Sequence, residues 1–79
     1  MTKSVHTKHY DRFLQLLVEA RKNAGVTQDE VALRLNRPQS FVSKYENGER
    51  RVDVIEFLDI ADAIGFNAVS FIKKILTHR

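Results

Sequence analysis

The stretch that decides the fold is TQDEVALRLNRPQSFVSKYENG, residues 27–48, because its polar signals set the ends of two consecutive short helices. Thr27 stands three residues before Glu30. This is the spacing of a capping box, in which each side chain bonds a backbone N–H at a helix start. Asn36 tolerates the left-handed conformation that ends many helices. The pattern therefore predicts a first helix over residues 28–35.

The second half of the stretch predicts a short and largely polar helix over residues 39–47. Pro38 suits the first turn of a helix, where its missing N–H is not needed, and Gly48 is a stop signal. Val42 and Tyr45 lie at core spacing within this helix. Because so few residues separate the two helices, we expect them to meet at a steep angle.

Apolar periodicity and caps predict three further helices in the rest of the chain, over residues 9–24, 54–64 and 68–77. Asp53 and Glu56 repeat the capping spacing, and Asn67 can cap the last helix. The predicted inward stripe of the fourth helix comprises Val54, Phe57, Leu58, Ala61 and Ile64. No strand pattern is visible, so the sequence predicts an all-α fold, a compact five-helix bundle. One domain would span residues 9–79, after a flexible N-terminal arm at residues 1–8.

Length and composition narrow the class of protein. The 79 residues fit one small domain, and the absence of cysteine favours a reducing setting, so we expect a cytoplasmic protein. No segment approaches the apolar length of a membrane span. The net charge of +3 is uneven, because residues 1–52 carry ten Lys/Arg against six Asp/Glu, whereas residues 53–79 carry three against four. The basic part suits a partner with phosphates, although a solvated surface would look the same.

The polar face of the third helix is the strongest functional signal. Gln39, Ser40, Ser43 and Lys44 share one side of this helix, opposite Val42. A helix-turn-helix reader of DNA needs such a second helix, with small or hydrogen-bonding side chains that reach base edges in the major groove. The alternative is an ordinary solvated helix face.

Three motifs extend this signal over residues 13–72: ARKNAGVTQDEVALRL, SFVSKYENGERR and FLDIADAIGF. In order and spacing they resemble the Cro/C1-type (XRE-like) helix-turn-helix family of phage repressors and bacterial transcriptional regulators. The resemblance implies the lambda-repressor-like fold, with the helix-turn-helix formed by helices 2 and 3, and a partner of double-stranded DNA.

The resemblance also implies roles for individual residues. Gln28 would bond a DNA phosphate and brace Gln39, and Arg21 would pair with Glu46 as a structural contact. Phe41 would touch a thymine methyl group or the sugar backbone, and the alternative is that it covers a gap at the seam between helices 2 and 3. The backbone N–H groups of the Asn47-Gly48 turn would approach a phosphate. The full predicted DNA-binding set is Gln28, Gln39, Ser40, Phe41, Ser43, Lys44, Asn47, Arg50 and Arg51. Asn36, Pro38 and Phe41 depart from the residue types usual in the family, so the preferred base sequence stays open.

A second surface is predicted at the C-terminal end. Ile55 lies outside the predicted inward stripe of helix 4, beside an apolar helix 5. An exposed apolar patch there would suit a subunit contact, for which the candidates are Ile55, Val69, Ile72 and Leu76. The alternative is that helix 5 only closes the core of the monomer.

These observations favour a sequence-specific transcriptional regulator, a repressor that binds a palindromic operator as a homodimer. The alternative is an antitoxin or adaptor that acts chiefly through a protein partner such as a toxin. An enzyme is not expected, because so thin a core leaves little room for a pocket and an orienting residue. No cofactor is expected, and His6 and His9 lack the acidic or cysteine partners that would complete a metal site.

Overall fold

The computed structural model describes residues 7–77, in which five α-helices and no strands occur. They are α1 Lys8–Asn23, α2 Gln28–Leu35, α3 Gln39–Glu46, α4 Val54–Ile64 and α5 Ala68–Thr77. The predicted all-α five-helix fold is confirmed, and each predicted boundary lies within one residue of the observed one. Within the described part of the chain, no helix is long and apolar enough to cross a membrane.

The predicted N-terminal arm falls mainly on residues 1–6, which lie outside the described residues. Its last two residues belong to the start of α1. Thr7 is the N-cap, where its hydroxyl accepts a hydrogen bond from the Tyr10 N–H at 3.0 Å, and Lys8 is the first helical residue.

Capping boxes begin both α2 and α4, as predicted. The Thr27 hydroxyl accepts from the Glu30 N–H at 3.1 Å, and the Glu30 carboxylate accepts from the Thr27 N–H at 2.8 Å. Asp53 and Glu56 make the same reciprocal pair, at 2.7 and 3.1 Å. The hydrogen bond from the Thr27 backbone lowers the pKa of Glu30. Each pair satisfies backbone donors that a helix start leaves unpaired, so both helices begin at a defined residue.

The break between α2 and α3 is a left-handed turn at Asn36, whose φ is 57° and ψ is 45°. The Arg37 N–H bonds back to the Ala32 carbonyl at 3.0 Å, which closes the end of α2. Pro38 takes the N-cap position of α3, one residue before the first helical position, and makes no side-chain cap. These three residues turn the chain tightly enough to pack α3 directly against α2.

The core lies where α1, α2, α3 and α4 meet, and its fully buried side chains come from all four helices: Leu17, Val31, Val42, Tyr45 and Ile60. A cluster of aromatic rings closes the other end, against α5. Phe13, Phe57, Phe66 and Phe71 have ring centroids 4.8 to 5.9 Å apart, at the separations of favourable aromatic pairs. This cluster fixes α5 to the rest of the domain.

The predicted inward stripe of α4 is wrong at two positions. Val54 is 71% exposed and Leu58 is 44% exposed, whereas Ile60, which was not predicted, is fully buried. The true stripe combines Ile60 with the predicted Phe57, Ala61 and Ile64. Val54 and Leu58 lie instead at the edge of α4 that faces α5, where the two helices leave an open groove. The apolar pattern located the helix but did not show which neighbour covers each edge.

Candidate nucleic-acid interface

The two sides of α3 differ sharply in exposure. Val42 and Tyr45 are fully buried against the body of the domain. Gln39, Ser40 and Lys44 are exposed and Ser43 is half-buried, so the predicted polar row does form one outer face. This face presents amide, hydroxyl and ammonium groups, which are the groups that bond base edges and phosphates.

A chain of polar contacts ties this row to the interior. The Arg21 guanidinium donates to both carboxylate oxygens of Glu46, at 2.6 and 3.1 Å, and also to the Val26 carbonyl at 3.1 Å. Gln28 donates its amide N–H to Glu46 at 2.8 Å, and Gln39 donates to the Gln28 carbonyl oxygen at 2.7 Å. Gln39 is thus linked to α1 through the side chains of Gln28, Glu46 and Arg21.

Two of these contacts confirm expectations drawn from the resemblance, the Gln28–Gln39 brace and the Arg21–Glu46 pair. The Gln28–Glu46 hydrogen bond was not anticipated. Only 5% of the Glu46 side chain is exposed, and its hydrogen bond to Arg21 raises the pKa of that guanidinium. A carboxylate so buried has little water to pair with, so its protein donors decide its orientation.

Phe41 does not face outward, contrary to the orientation expected for its predicted DNA contact. Its side chain is 7% exposed and packs edge-to-face on Tyr45, with ring centroids 5.5 Å apart. Residues 41 and 45 are four apart and so share one face of the helix, which here is the buried one. The guanidinium groups of Arg37 and Arg50 lie over the Phe41 ring, 4.4 and 4.8 Å from its centroid.

Arg50, predicted to contact DNA, is held by a carboxylate of the protein. Its two terminal nitrogens donate to the two oxygens of Glu56 at 2.9 and 2.8 Å. Arg37 approaches the same carboxylate at 3.6 Å. The hydrogen bonds from Arg50, then the hydrogen bond from the Asp53 N–H and the charges of Arg50 and Arg37, lower the pKa of Glu56 to about 2. Neither Arg37 nor Glu56 was predicted as a site residue, since sequence spacing gives no sign that the two meet.

The Asn47-Gly48 turn follows directly after α3. The backbone N–H groups of Asn47 and Gly48 already bond to the Ser43 and Tyr45 carbonyls, at 3.0 and 3.1 Å. These hydrogen bonds close the end of α3, so the phosphate contact predicted for these N–H groups would have to share donors that already have partners. Asn47 is exposed, so what it offers at this edge is its side-chain amide.

Arg51 lies on the other side of the loop from Arg50. Its guanidinium stacks over the Tyr10 ring at 4.1 Å, while the Tyr10 hydroxyl accepts from the Val52 N–H at 3.1 Å. The residue as a whole is exposed. The loop after α3 thus directs two successive arginines to different aromatic rings.

The four predicted subunit-contact residues, Ile55, Val69, Ile72 and Leu76, are all exposed. Val69 and Ile72 line one apolar groove of about 350 Å³ between α4 and α5, together with Val54 and Leu58. Ile55 and Leu76 do not line this groove, although Leu76 lies one helical turn after Ile72 on α5.

The described residues offer little else of chemical interest. A shallow cleft of about 560 Å³ is lined by Arg34, Asp59 and Asp62, and Arg34 is committed to the Ala63 carbonyl at 2.8 Å. Within residues 7–77 no three potential metal ligands come together. His9 lies in α1, whereas His6 is outside the described residues.

Comparison with known proteins agrees with this geometry. The model of the helix-turn-helix family matches residues 17–71. A solved XRE-family like protein from Pseudomonas syringae pv. tomato str. DC3000 is 53% identical and superposes with a TM-score of 0.83, over 89% of this chain and 90% of that one. An uncharacterised HTH-type transcriptional regulator of Sinorhizobium fredii (strain NBRC 101917 / NGR234), y4dJ, is 35% identical over 52 residues, 66% of this chain and 68% of the relative.

A more distant likeness shows the fold alone. A mutant of the restriction-modification controller protein C.Esp1396I is 24% identical and has a TM-score of 0.75 over the whole of both chains. The match of the family model covers most of the described helices, including the α2–α3 pair and its polar row. This chain therefore belongs to the helix-turn-helix family of DNA-binding transcriptional regulators, in its XRE (Cro/C1) type.

Proposed function

We propose that this protein is a sequence-specific repressor that binds a palindromic operator as a homodimer, with α3 in the major groove of each half-site. The observation that carries the proposal is the exposed polar row of α3, which starts at Gln39 and is braced through Gln28 and Glu46. A solvated face would not need a buried carboxylate to orient its first residue. A base-reading face would, because base contacts depend on orientation.

The brace supports a definite role for Gln39. One N–H of its amide donates to Gln28, which leaves its carbonyl oxygen and its second N–H for a ligand. An adenine presents an N6 donor and an N7 acceptor side by side in the major groove, and one glutamine amide can bond both. Gln39 would therefore read adenine, while Ser40 and Ser43 accept or donate at neighbouring positions.

Phosphate contacts would come from the residues around this row. Lys44 and Arg51 are exposed cations on or just after α3, and Gln28 and Asn47 carry side-chain amides at its two ends. Such contacts fix the register of a protein on the duplex and supply most of its affinity.

The groove between α4 and α5 supports the homodimer. Val54, Leu58, Val69 and Ile72 line it, and an apolar surface of this kind on a small domain is typical of a protein contact. A two-fold pair would set the two α3 helices against half-sites one helical turn apart, about 34–36 Å.

Selection of bound duplexes from a random pool tests the specificity. The expected result is an enriched palindrome, whereas no enrichment at moderate salt would contradict the proposal.

A variant tests the dimer. Selection with Val69→Asp should return single half-sites, because the charge would break the apolar contact, and sedimentation should then show a monomer. Ser70→Asp is the matched control on the same helix and should behave as the wild type. A wild-type monomer that copurifies with another protein on this face would instead favour the adaptor function.

A further inference from the structure

Four side chains form a cluster beside the first turn of α3: Arg37, Phe41, Arg50 and Glu56. Both guanidinium groups lie against the Phe41 ring, at 4.4 and 4.8 Å from its centroid. Glu56 reaches both, through two hydrogen bonds to Arg50 of 2.8 and 2.9 Å and an ion pair to Arg37 at 3.6 Å. The four residues come from the α2–α3 break, α3, the following loop and α4.

The cluster holds its arginines without burying them. The side chains of Arg37 and Arg50 are 44% and 39% exposed, whereas that of Glu56 is 13% exposed. A guanidinium has five N–H donors, so Arg50 keeps donors in excess of those that it gives to Glu56 and to the Arg51 carbonyl at 2.9 Å. A bidentate carboxylate and an aromatic face together fix the plane of the guanidinium.

Glu56 also takes part in the capping box of α4. As the third residue of α4 it accepts the Asp53 N–H at 3.1 Å in the capping box. The carboxylate is therefore anchored to the backbone at the start of α4 while it holds the two arginines beside α3.

We propose that Glu56 is a specificity-determining positioning residue: it fixes Arg37 and Arg50 beside α3, so that their outward N–H groups meet phosphates only when α3 is in register with its operator. The proposal rests on the proposed function. Donors that are held in fixed positions add most to the affinity when the duplex is held in one register, because their phosphates then lie within hydrogen-bond distance. Binding to arbitrary DNA depends mainly on net charge. Glu56 would thus lower the affinity for arbitrary DNA through its charge and raise the affinity for the operator through the positions of its partners.

The test compares Glu56→Gln with the wild type on two duplexes of equal length, the sequence enriched by selection and a mixed sequence. Glutamine at this position keeps an acceptor for the capping box, so α4 retains its start. Glu49→Gln is the matched control, because it removes the same charge from an exposed residue outside the cluster. We expect Glu56→Gln to weaken binding to the enriched duplex about fivefold or more, the size of a typical coupling between contacting residues. Binding to the mixed duplex should change no more than in Glu49→Gln.

A double-mutant cycle separates positioning from structure. In a background of Arg37→Gln with Arg50→Gln, the further change Glu56→Gln should alter binding to the enriched duplex by less than about twofold. A full loss in that background would overturn the inference, because Glu56 would then act through the helix cap alone. Glu56→Gln and Glu49→Gln behaving alike on both duplexes would also overturn it, because only charge would matter. A wild type that enriches no sequence would instead refute the proposed function, and the inference with it.

Discussion

Two carboxylates, Glu46 and Glu56, each hold arginine beside α3, but in different surroundings. Glu46 is 5% exposed and joins α1, α2 and α3 through Arg21 and Gln28. Glu56 is 13% exposed, and its partners Arg37 and Arg50 are each about two-fifths exposed. The buried pair braces the polar row of α3 from inside, and the outer cluster of Arg37, Phe41, Arg50 and Glu56 holds two arginines at the edge of that row. We therefore expect loss of the Arg21–Glu46 pair to lower the stability of the fold more than loss of the contacts of Glu56 with its arginines.

The largest effect should follow from Arg21→Ala, which leaves the Glu46 carboxylate buried with only the Gln28 amide. Breaking one side of a buried ion pair costs about 3–5 kcal/mol, so we expect a loss of about 3 kcal/mol in the free energy of unfolding. Urea unfolding followed by circular dichroism measures it. Lys22→Ala, at an exposed neighbour on α1, should change stability by less than about 0.5 kcal/mol. If Arg21→Ala also lowered the free energy of unfolding by less than about 0.5 kcal/mol, the buried pair of Glu46 would contribute no more to stability than an exposed side chain.

Loss of the charge of Glu56 should have a smaller effect on the free energy of unfolding, and this effect should depend on pH. The folded pKa of Glu56 is about 2, below the ordinary value of 4.5, so the folded state binds fewer protons than the unfolded state in this range. The contribution of the Glu56 charge to the free energy of unfolding is fully present above about pH 5, and it is lost as the pH falls from 5 toward 2. Because the arginines that pair with Glu56 are partly exposed, we expect its charge to add only about 1 kcal/mol to the free energy of unfolding at neutral pH.

Glu56→Gln isolates this contribution. The free energies of unfolding of wild type and variant, measured in urea from pH 7 to pH 2.5, should converge as the pH falls. Glu49→Gln is the control that removes an exposed carboxylate outside the cluster. A gap between wild type and Glu56→Gln that stays constant down to pH 2.5 would mean that the charge of Glu56 contributes nothing to stability.

The smallest effect concerns the hydroxyl of Tyr45, next to Glu46 in the sequence. The hydroxyl oxygen is buried without a hydrogen-bond partner among residues 7–77, and burial raises the pKa of this phenol. A buried polar group with no partner is unfavourable, so Tyr45→Phe should stabilise the fold by up to about 1 kcal/mol. Thermal unfolding would show a higher midpoint. A fall in the midpoint would reveal a partner for the hydroxyl.

Local signals in the sequence were sufficient for the helices. The capping spacing at Thr27 and Asp53 and the left-handed Asn36 each act within a few residues, and each was found where it was predicted. The buried side of α3 followed equally well from the spacing of Val42 and Tyr45.

Contacts between distant residues could not be predicted in the same way. Phe41 lies one turn before Tyr45 on the buried face of α3, but Arg37 and Arg50, which cover the rest of its ring, come from the break before α3 and from the loop after it. Arg50 looked like a free cation because its partner is on another helix. The Gln28–Gln39 brace was anticipated only through the family resemblance.

The affinity of Gln39→Ala for the enriched duplex and for a mixed duplex of equal length tests the central claim, that the braced row of α3 reads bases. We expect a loss of about 1–3 kcal/mol on the enriched duplex and far less on the mixed one. Arg51→Ala is the comparison variant, since loss of a phosphate contact should weaken both duplexes alike and lower the salt slope by about 1. Equal losses on both duplexes for Gln39→Ala would contradict the account.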